Sequence, residues 1–298
     1  MTALNGKRVL ISGAAQGIGR ATAHALLRRG CDVVITDLRE DLLEAAAIEL
    51  RAQAAQSAPR VPVVAAYPLD VTDEAAILQL RDEIHRTLGP IDVLVNNAGL
   101  VFGGSFLDVP LARHRTTYEV NTLGLVAMTH AFLPELIARP AGHLVYIASA
   151  SAYIGLPYGT TYASSKWAVL GFSDGIRLEL EELGHRHVHV TTVCPSFVST
   201  GLFAGATAIK QTTFLEADAL AEQIVRAVER DKVYLMAPRL AYITPVMRGV
   251  LPTWLFDWVG RWFGVTTSMR HWRGRGQEAA AKPEAAKPHD RATATMSK

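Results

Sequence analysis

Short apolar runs alternate with longer segments of helical spacing along the first 240 residues of the chain. Seven apolar runs of four to six residues occur, at 9–12, 32–36, 61–66, 91–95, 143–148, 188–193 and 233–236. Helical spacing is clearest over 20–29, 41–53 and 72–88. Nearly continuous apolar strands joined by helices are typical of a parallel sheet, because the crossover helices cover both of its faces. The pattern therefore predicts an α/β fold with one doubly wound parallel sheet flanked by helices.

The composition indicates one large domain followed by two shorter segments. Of the 298 residues, 49% are hydrophobic and 19% are charged, which excludes global disorder. We expect the α/β domain to occupy residues 1–239 and an apolar helical extension to occupy 240–276. Residues 277–298 are mostly Ala, Lys, Pro and Glu, so this tail is expected to be disordered.

Charge and cysteine content exclude several classes of function. Thirty Lys and Arg residues balance 28 Asp and Glu, for a formal net charge of +2, so no nucleic-acid partner is expected. Cys31 and Cys194 are too few for a disulfide framework and lack the spacing of zinc ligands. The first eight residues are polar and do not resemble a secretory signal. We therefore expect a cytoplasmic protein without a metal site.

A glycine-rich turn joins the first predicted strand to the first predicted helix. It reads Ser-Gly-Ala-Ala-Gln-Gly-Ile-Gly over residues 12–19. Glycines let the backbone approach a pyrophosphate closely, and the amides at a helix N-terminus can bind it. The turn points to a dinucleotide site formed by Gly13, Gln16, Gly17, Ile18 and Gly19, although a tight packing turn would contain the same small residues.

Asp37 ends the second predicted strand, 24 residues after Gly13. A carboxylate at this position can accept hydrogen bonds from both hydroxyls of the adenosine ribose, and it repels a ribose phosphate. NAD is therefore favoured over NADP as the cofactor. Two alternatives stay open, because Arg39 could accommodate a phosphate and Asp37 could simply cap the next turn.

Tyr162 and Lys166 lie four residues apart, so on a helix they share one face. An ammonium group close to a phenol favours the phenolate and so lowers the pKa of the phenol. The pair is suited to acid–base chemistry near neutral pH, but a Tyr and a Lys at this spacing can also occur by chance.

Further motifs occur in order around these residues. They are Asp70-Val71, Asn96-Asn97-Ala98-Gly99, Asn121 and Ser149, the last of which lies 13 residues before Tyr162. Together with the glycine-rich turn, this arrangement resembles the short-chain dehydrogenase/reductase family over residues 7–238. The resemblance implies a Rossmann-type domain and an oxidoreductase that acts on CH–OH groups with a nicotinamide cofactor.

The resemblance also implies roles for four catalytic residues. Tyr162 is the base that takes the alcohol proton while hydride leaves the carbon. Lys166 lowers the pKa of Tyr162 and binds the nicotinamide ribose, and Ser149 hydrogen-bonds the substrate oxygen. Asn121 orders a water for proton relay through Lys166. The alternatives are a serine in a strand-end turn and an asparagine that caps a helix.

Additional cofactor contacts follow from the same resemblance. Asp70 and Val71 are assigned to the adenine pocket and Ala98 to the cofactor site, with Asn97 and Gly99 supporting the sheet beside the cofactor. Pro195, Val198 and Thr200 are assigned to the nicotinamide. The chain departs from the family's frequent Pro-Gly after the late strand, because it reads Cys194-Pro195-Ser196. We interpret Cys194 as a small buried apolar residue.

The segment 240–264 is strongly apolar and carries three tryptophans. Pro252 suits the first turn of a second helix over 253–263, with one apolar face and with Asp257 and Arg261 on the other. Charges interrupt the run, so a membrane span is not expected. With the flanking arginines, residues 246–263 could contact an anionic membrane peripherally. They could also pack on the domain, on a second subunit or over the substrate cleft.

Each of these arrangements favours a lipophilic substrate, and the extension resembles those of family members that act on retinoids, steroids and other lipophilic alcohols. We expect NAD-dependent hydride transfer between a hydrophobic secondary or allylic alcohol and its carbonyl form. One alternative is an NADPH-dependent carbonyl or 3-oxoacyl reductase, and another is a catalytically silent nucleotide-binding scaffold at a membrane. By resemblance, helices around 111–133 and 158–183 would form a homodimer or homotetramer.

Overall fold

A computed structural model describes residues 2–57 and 60–274 of the chain. The predicted tail over 277–298, and the last two residues of the predicted extension, lie outside the described residues. In the described part, seven parallel strands form one sheet in the order β3-β2-β1-β4-β5-β6-β7. The strands are β1 (Arg8–Ser12), β2 (Asp32–Asp37), β3 (Val64–Pro68), β4 (Val93–Asn96), β5 (Gly142–Ile147), β6 (Val188–Pro195) and β7 (Tyr234–Ala237).

Helices cover both faces of the sheet. They are α1 (Gly17–Leu27), α2 (Glu40–Ala54), α3 (Glu74–Thr87), α4 (Leu111–Tyr118), α5 (Leu125–Ala138), α6 (Thr160–Glu182), α7 (Ala217–Glu229), α8 (Ile243–Val250) and α9 (Thr253–Phe263). The apolar residues of α1, α2 and α7 form one core layer with the sheet. Those of α3, α5 and α6 form the other. The predicted doubly wound α/β fold is confirmed.

Alternation along the buried strands divides their side chains between the two layers. In β1, Val9 and Ile11 point into the layer with α1, whereas Leu10 points into the opposite layer. All three are fully buried. Because successive side chains of a strand point to opposite faces, a strand covered on both faces has to be apolar at every position. This explains the unbroken apolar runs in the sequence.

The strand order reverses between β1 and β4, and this reversal positions the site. The two strands pair in parallel, with Val9 opposite Val93 and Leu10 opposite Leu94. The loops after β1 and β4 therefore leave the same edge of the sheet side by side. In open parallel sheets, ligands bind in the crevice at such a reversal, outside the carboxyl ends of the strands.

The third strand begins later than its apolar run predicts. The run starts at residue 61, but β3 begins at Val64. Pro62 has no backbone N–H to donate. The N–H of Val63 is used by the Asp32 carboxylate, with 2.8 Å between nitrogen and Oδ1. Regular pairing with β2 therefore starts only beyond these residues.

The predicted break at Pro252 is confirmed, since Pro252 is the N-cap of α9 and separates it from α8. By length and composition, the continuous helix Leu111–Ala138 is the one described helix apolar enough to cross a membrane. Its Met128, Phe132 and Leu136 are fully buried in the layer that packs on the sheet. These contacts are those of a core helix.

Candidate active site

A cleft of about 380 Å³ opens at the carboxyl ends of the central strands. It collects nearly all of the residues that the sequence assigns to the cofactor. They are Gly13, Gln16, Gly17, Ile18, Asp37, Asp70, Val71, Asn97, Ala98, Gly99, Tyr162, Lys166, Pro195, Val198 and Thr200. Gly19 does not line the cleft. A Cβ atom there would lie 2.5 Å from the amide nitrogen of Asn97, so Gly19 permits close packing behind the turn.

The glycine-rich turn has the backbone that a bound pyrophosphate requires. Gly13 and Gly17 have positive φ angles, of 64° and 61°. A Cβ atom on Gly13 would lie 2.8 Å from the Cα of Ala98, in the neighbouring loop after β4. Helix α1 begins at Gly17, which lines the cleft, and its first turn carries no acidic residue that would repel an anion. These features fit a dinucleotide phosphate at this point.

Asp37 ends β2 and holds its carboxylate at the rim of the cleft. Oδ2 accepts a hydrogen bond from the backbone N–H of Ala15 at 3.1 Å, and Oδ1 accepts one from that of Arg39, also at 3.1 Å. The Arg39 guanidinium lies 3.7 Å from Oδ1. Asp37 therefore caps the following turn, as one of the alternatives from the sequence expects, and it also lines the cleft.

Ser12 and Asn97 tie the loops after β1 and β4 together. The Asn97 amide donates to the carbonyl oxygens of Ser12 at 2.9 Å and Gly13 at 2.7 Å. The Ser12 hydroxyl oxygen in turn accepts from the backbone amides of Asn97 and Ala98, each at 3.1 Å. Asn97 thus ties the loop after β4 to the loop after β1 at the floor of the cleft. Sequence reasoning missed Ser12, whose role depends on the neighbouring strand.

Tyr162 and Lys166 lie on the first turns of α6 and are both buried. The Lys166 ammonium is 5.9 Å from the centre of the Tyr162 ring, so the predicted shared face is present. Its Nζ donates to the carbonyl oxygen of Ile147 at 2.8 Å. Gly99 lies against Lys166 and Asn121, since a Cβ atom there would be 3.5 Å from Nζ and 3.3 Å from the Asn121 Oδ1.

Ser149 follows β5, and its hydroxyl lies beside the Tyr162 phenol, where it favours the phenolate form. Its Oγ also accepts a hydrogen bond from the backbone N–H of Ser151 at 3.1 Å. It donates one to the Pro195 carbonyl oxygen, which is 3.4 Å away. Ser149 therefore caps the short turn that follows β5 while its hydroxyl faces the phenol. The turn holds the hydroxyl in place.

Asn121 lies in a π-helical turn, Glu119–Gly124, between α4 and α5. Its amide donates to the Leu100 carbonyl oxygen at 2.9 Å and to the Ser165 hydroxyl at 3.0 Å. Its Oδ1 accepts from the Leu100 backbone N–H at 2.8 Å. The side chain therefore joins the loop after β4 to α6, immediately beside Lys166. Single π turns often occur at functional sites.

Burial shifts the two titratable groups in opposite directions. Burial raises the pKa of Tyr162 to about 12, although the Ser149 hydroxyl opposes the rise. Burial also lowers the pKa of Lys166 to about 8, because the charged ammonium loses its hydration. The prediction that Lys166 lowers the pKa of Tyr162 is therefore wrong for the protein without cofactor, because burial raises this pKa and only Ser149 opposes the rise. A low-dielectric pocket disfavours both charged forms.

An apolar wall beside Tyr162 was not found by sequence reasoning. The Phe203 and Tyr162 rings are 5.6 Å apart, and Met269 is buried in the same cluster. Trp272, from the C-terminal segment, also lines the cleft. A Cβ atom on Gly103 would lie 2.7 Å from the Trp272 indole, so Gly103 makes room for the ring. No local pattern pairs residues so far apart in the chain.

Comparisons with known proteins agree with this geometry. Residues 7–210 match a family model described as short chain dehydrogenase. The chain is 32% identical over 249 residues to human "Epidermal retinol dehydrogenase 2", covering 83% of this chain and 79% of that protein. It is 32% identical over 244 residues to human "17-beta-hydroxysteroid dehydrogenase 13", covering 82% and 78%.

A solved structure shows the same fold. It is a short chain dehydrogenase/reductase from Burkholderia phymatum in complex with NAD, with a TM-score of 0.75 and 24% identity. The superposition covers 84% of this chain and 95% of that one. At this identity the likeness concerns the fold alone, and it includes the doubly wound sheet.

Proposed function

The chain belongs to the short-chain dehydrogenase family, and we propose that it transfers hydride between NAD and a hydrophobic secondary or allylic alcohol, in either direction. As a member of this family it is an oxidoreductase that acts on CH–OH groups. The observation that carries the proposal is the buried Tyr162 phenol, which lies beside the Ser149 hydroxyl and lines the same cleft as the predicted cofactor residues.

Tyr162 is proposed as the acid and base of the reaction. Its raised pKa keeps the phenol protonated at neutral pH, so it can donate a proton to a carbonyl oxygen that is being reduced. When bound, an oxidised nicotinamide accepts hydride and brings a positive charge, which favours the phenolate needed for alcohol oxidation. Ser149 would hold the substrate oxygen beside the phenol.

Lys166 and Asn121 are proposed to complete the proton path. The Lys166 ammonium has a lowered pKa, of about 8, so it can both hold and release a proton near physiological pH. Asn121 hydrogen-bonds Leu100 in the loop after β4 and Ser165 on α6. These bonds hold the loop in place beside Lys166. We propose that the proton taken up by Tyr162 leaves the site beside Lys166 through ordered water.

NAD is proposed over NADP because the Asp37 carboxylate lies at the rim of the cleft, where a ribose phosphate would meet its negative charge. Its two backbone hydrogen bonds hold the carboxylate in place. One observation favours the alternative, an NADPH-dependent carbonyl reductase. The half-exposed Arg39 guanidinium lies 3.7 Å from Asp37 and could turn toward a phosphate.

A lipophilic substrate is proposed from the apolar wall of the cleft. Phe203 and Trp272 line it, and Val101 is buried beside Tyr162. A wall of this kind favours an alcohol whose carbon skeleton is large and apolar. The retinol and 17-beta-hydroxysteroid named for two relatives are alcohols of this class.

We also propose self-association through the helices around 111–133 and 158–183, as a homodimer or homotetramer. Leu111 and Leu123 on the first of these segments, and Leu178 on α6, are exposed apolar side chains. Burial of such a surface between subunits would remove it from water. Light scattering on the purified protein would show a dimer or tetramer, whereas a monomer would overturn this part of the proposal.

The test is an absorbance assay of the purified chain with NAD and with NADP, using a panel of lipophilic secondary alcohols, steroids and retinol. Turnover that needs NAD and is lost in Tyr162→Phe would support the proposal. Turnover only with NADP would favour the reductase alternative. If the protein binds cofactor but turns over none of the panel, the substrate class is wrong.

A further inference from the structure

Helices α8 and α9 are amphipathic, but the protein covers only part of their apolar surface. No residue of either helix is fully buried. On α9, the side chains of Trp254, Trp258 and Trp262 are 70%, 58% and 52% exposed. On α8, those of Val246 and Val250 are 62% and 76% exposed. Large apolar side chains this exposed on adjacent helices mark an interaction surface.

The three tryptophans lie four residues apart, on one side of α9. The other side of the helix carries Phe256, Val259 and Phe263, which are partly buried and line a cavity of about 650 Å³ beneath α8 and α9. The apolar arc of α9 is therefore wider than the protein covers. The predicted single apolar face is thus divided, with one part in contact with the protein and the other exposed to solvent. Asp257 and Arg261 lie beside this apolar arc.

The segment that carries the exposed tryptophans has mostly positive charges. Residues 239–274 contain five arginines and one acidic residue, Asp257. Arg239 and Arg261 are exposed on the surface. Lys210, from the neighbouring loop, lies 5.4 Å from the centre of the Trp262 ring. Tryptophan, whose ring is apolar and whose N–H is polar, combined with arginine suits the headgroup layer of an anionic membrane.

We propose that the exposed side of α8 and α9 docks on the surface of an anionic lipid bilayer. The tryptophans would enter the headgroup layer, and Arg239 and Arg261 would attract the negative surface. Neither helix has the length of a membrane span, with 8 residues in α8 and 11 in α9. The contact is therefore peripheral.

Backbone hydrogen bonds and a short stretch of chain connect this surface to the candidate active site. The backbone N–H of Lys210 donates to the Phe263 carbonyl oxygen at 2.9 Å, and that of Thr207 donates to the Ser268 carbonyl oxygen at 2.8 Å. Four residues beyond Ser268, Trp272 lines the cleft. Docking through α9 would therefore engage the same C-terminal segment that contributes Trp272 to the cleft.

The experiment is vesicle flotation of the purified full chain in two lipid mixtures. One contains phosphatidylcholine alone, and the other contains phosphatidylcholine with phosphatidylglycerol. We expect the chain to float with the anionic vesicles, less with the neutral ones, and less again as salt is raised. Failure to float with either would overturn the proposal.

Two sets of variants locate the contact. Combined Trp254→Gln, Trp258→Gln and Trp262→Gln should weaken anionic-vesicle binding by at least about a hundredfold. Arg239→Gln and Arg261→Gln should each weaken it about fivefold. The matched controls are Ile48→Gln with Leu78→Gln, at exposed apolar positions on α2 and α3, and Arg226→Gln with Arg230→Gln, at exposed arginines at the end of α7. Equal losses in the controls would overturn the proposal.

Light scattering without lipid tests whether the exposed side of α8 and α9 binds a second copy of the chain and not a membrane. If the tryptophan variants lower the oligomeric state of the protein, the surface is a subunit interface and the proposal is wrong. An unchanged oligomeric state, an unchanged melting temperature and unchanged turnover of a water-soluble alcohol, together with lost vesicle binding, would support it.

Discussion

The indole N–H of Trp272 donates a hydrogen bond to the Leu202 carbonyl oxygen, 3.0 Å away. This bond ties the C-terminal segment to the loop after β6, and both residues line the cleft. Gly103 and Gly205 provide the space, because Cβ atoms there would meet the indole and the backbone of His271. The C-terminal segment is therefore part of the candidate active site as well as of the surface beyond it.

We expect Trp272→Ala to lower kcat/KM for a bulky lipophilic alcohol by about tenfold or more, since it removes an apolar wall from the cleft. A small alcohol that does not reach the wall should be affected less. Trp258→Ala is the matched control, because it deletes the same side chain from the exposed side of α9. Steady-state kinetics in lipid-free buffer compares them, and equal losses in both variants would contradict a role for Trp272 in the cleft.

Tyr162→Phe should lower kcat by about a thousandfold, because the phenol proton that the reaction transfers is missing. The dissociation constant for NADH, measured by fluorescence, should stay nearly unchanged. Tyr118→Phe removes the same hydroxyl from a tyrosine on α4 that hydrogen-bonds Ser164, outside the cleft lining, and should retain activity. If NADH binding is lost together with turnover in Tyr162→Phe, Tyr162 has a structural role.

Asp37→Ser should shift the NAD/NADP preference, measured as the ratio of kcat/KM values, toward NADP by about tenfold or more. The substitution removes the carboxylate that would accept ribose hydroxyls and repel a ribose phosphate. Asp41→Ser makes the same change at an exposed position in the first turn of α2 and should leave the ratio alone. An unchanged ratio in Asp37→Ser would mean that Asp37 serves only to cap its turn.

Lys166→Met should abolish turnover and yet stabilise the protein at pH 7 in the absence of cofactor. The pKa of Lys166 is about 8 in the folded protein, below the ordinary lysine value of 10.5. The unfolded chain therefore binds more protons between these two pH values, and the free energy of unfolding rises with pH across that window. Below pH 8, burial of the charged ammonium lowers the free energy of unfolding of the wild-type protein by about 3 kcal/mol. The variant avoids this cost but loses the hydrogen bond to Ile147, which reduces its advantage by about 1 kcal/mol.

Urea unfolding at pH 7 and at pH 9.5 measures this difference. The advantage of Lys166→Met should shrink at the higher pH, where the wild-type lysine is neutral in the folded protein. The raised thiol pKa of Cys31 is common to both proteins, so it cancels in the comparison. Lys166 lowers the pKa of Cys194, so a Cys194→Ala background is used for both proteins. Lys232→Met, at an exposed lysine, is the control. An advantage of the same size at both pH values would contradict a buried, titrating Lys166.

The sequence by itself determined the sheet, the glycine-rich turn and the candidate catalytic residues. These features depend on neighbours in the chain. A strand covered on both faces has to be apolar throughout, a turn against a phosphate needs glycine at Gly13, and one helical turn brings Tyr162 and Lys166 to the same face. Each leaves a periodic or compositional pattern, and the structure places them accordingly.

Only the tertiary structure decided how the site is completed. Asn121 is held by Leu100 and Ser165, and Trp272 packs over Gly103, because the fold brings distant segments together. The pKa values of Tyr162 and Lys166 follow the depth of burial, which the four-residue spacing does not encode. The exposure of the α9 tryptophans likewise depends on which side of that helix the domain covers. An amphipathic pattern shows that a helix has an apolar surface, and the surrounding fold determines how much of it stays in contact with water.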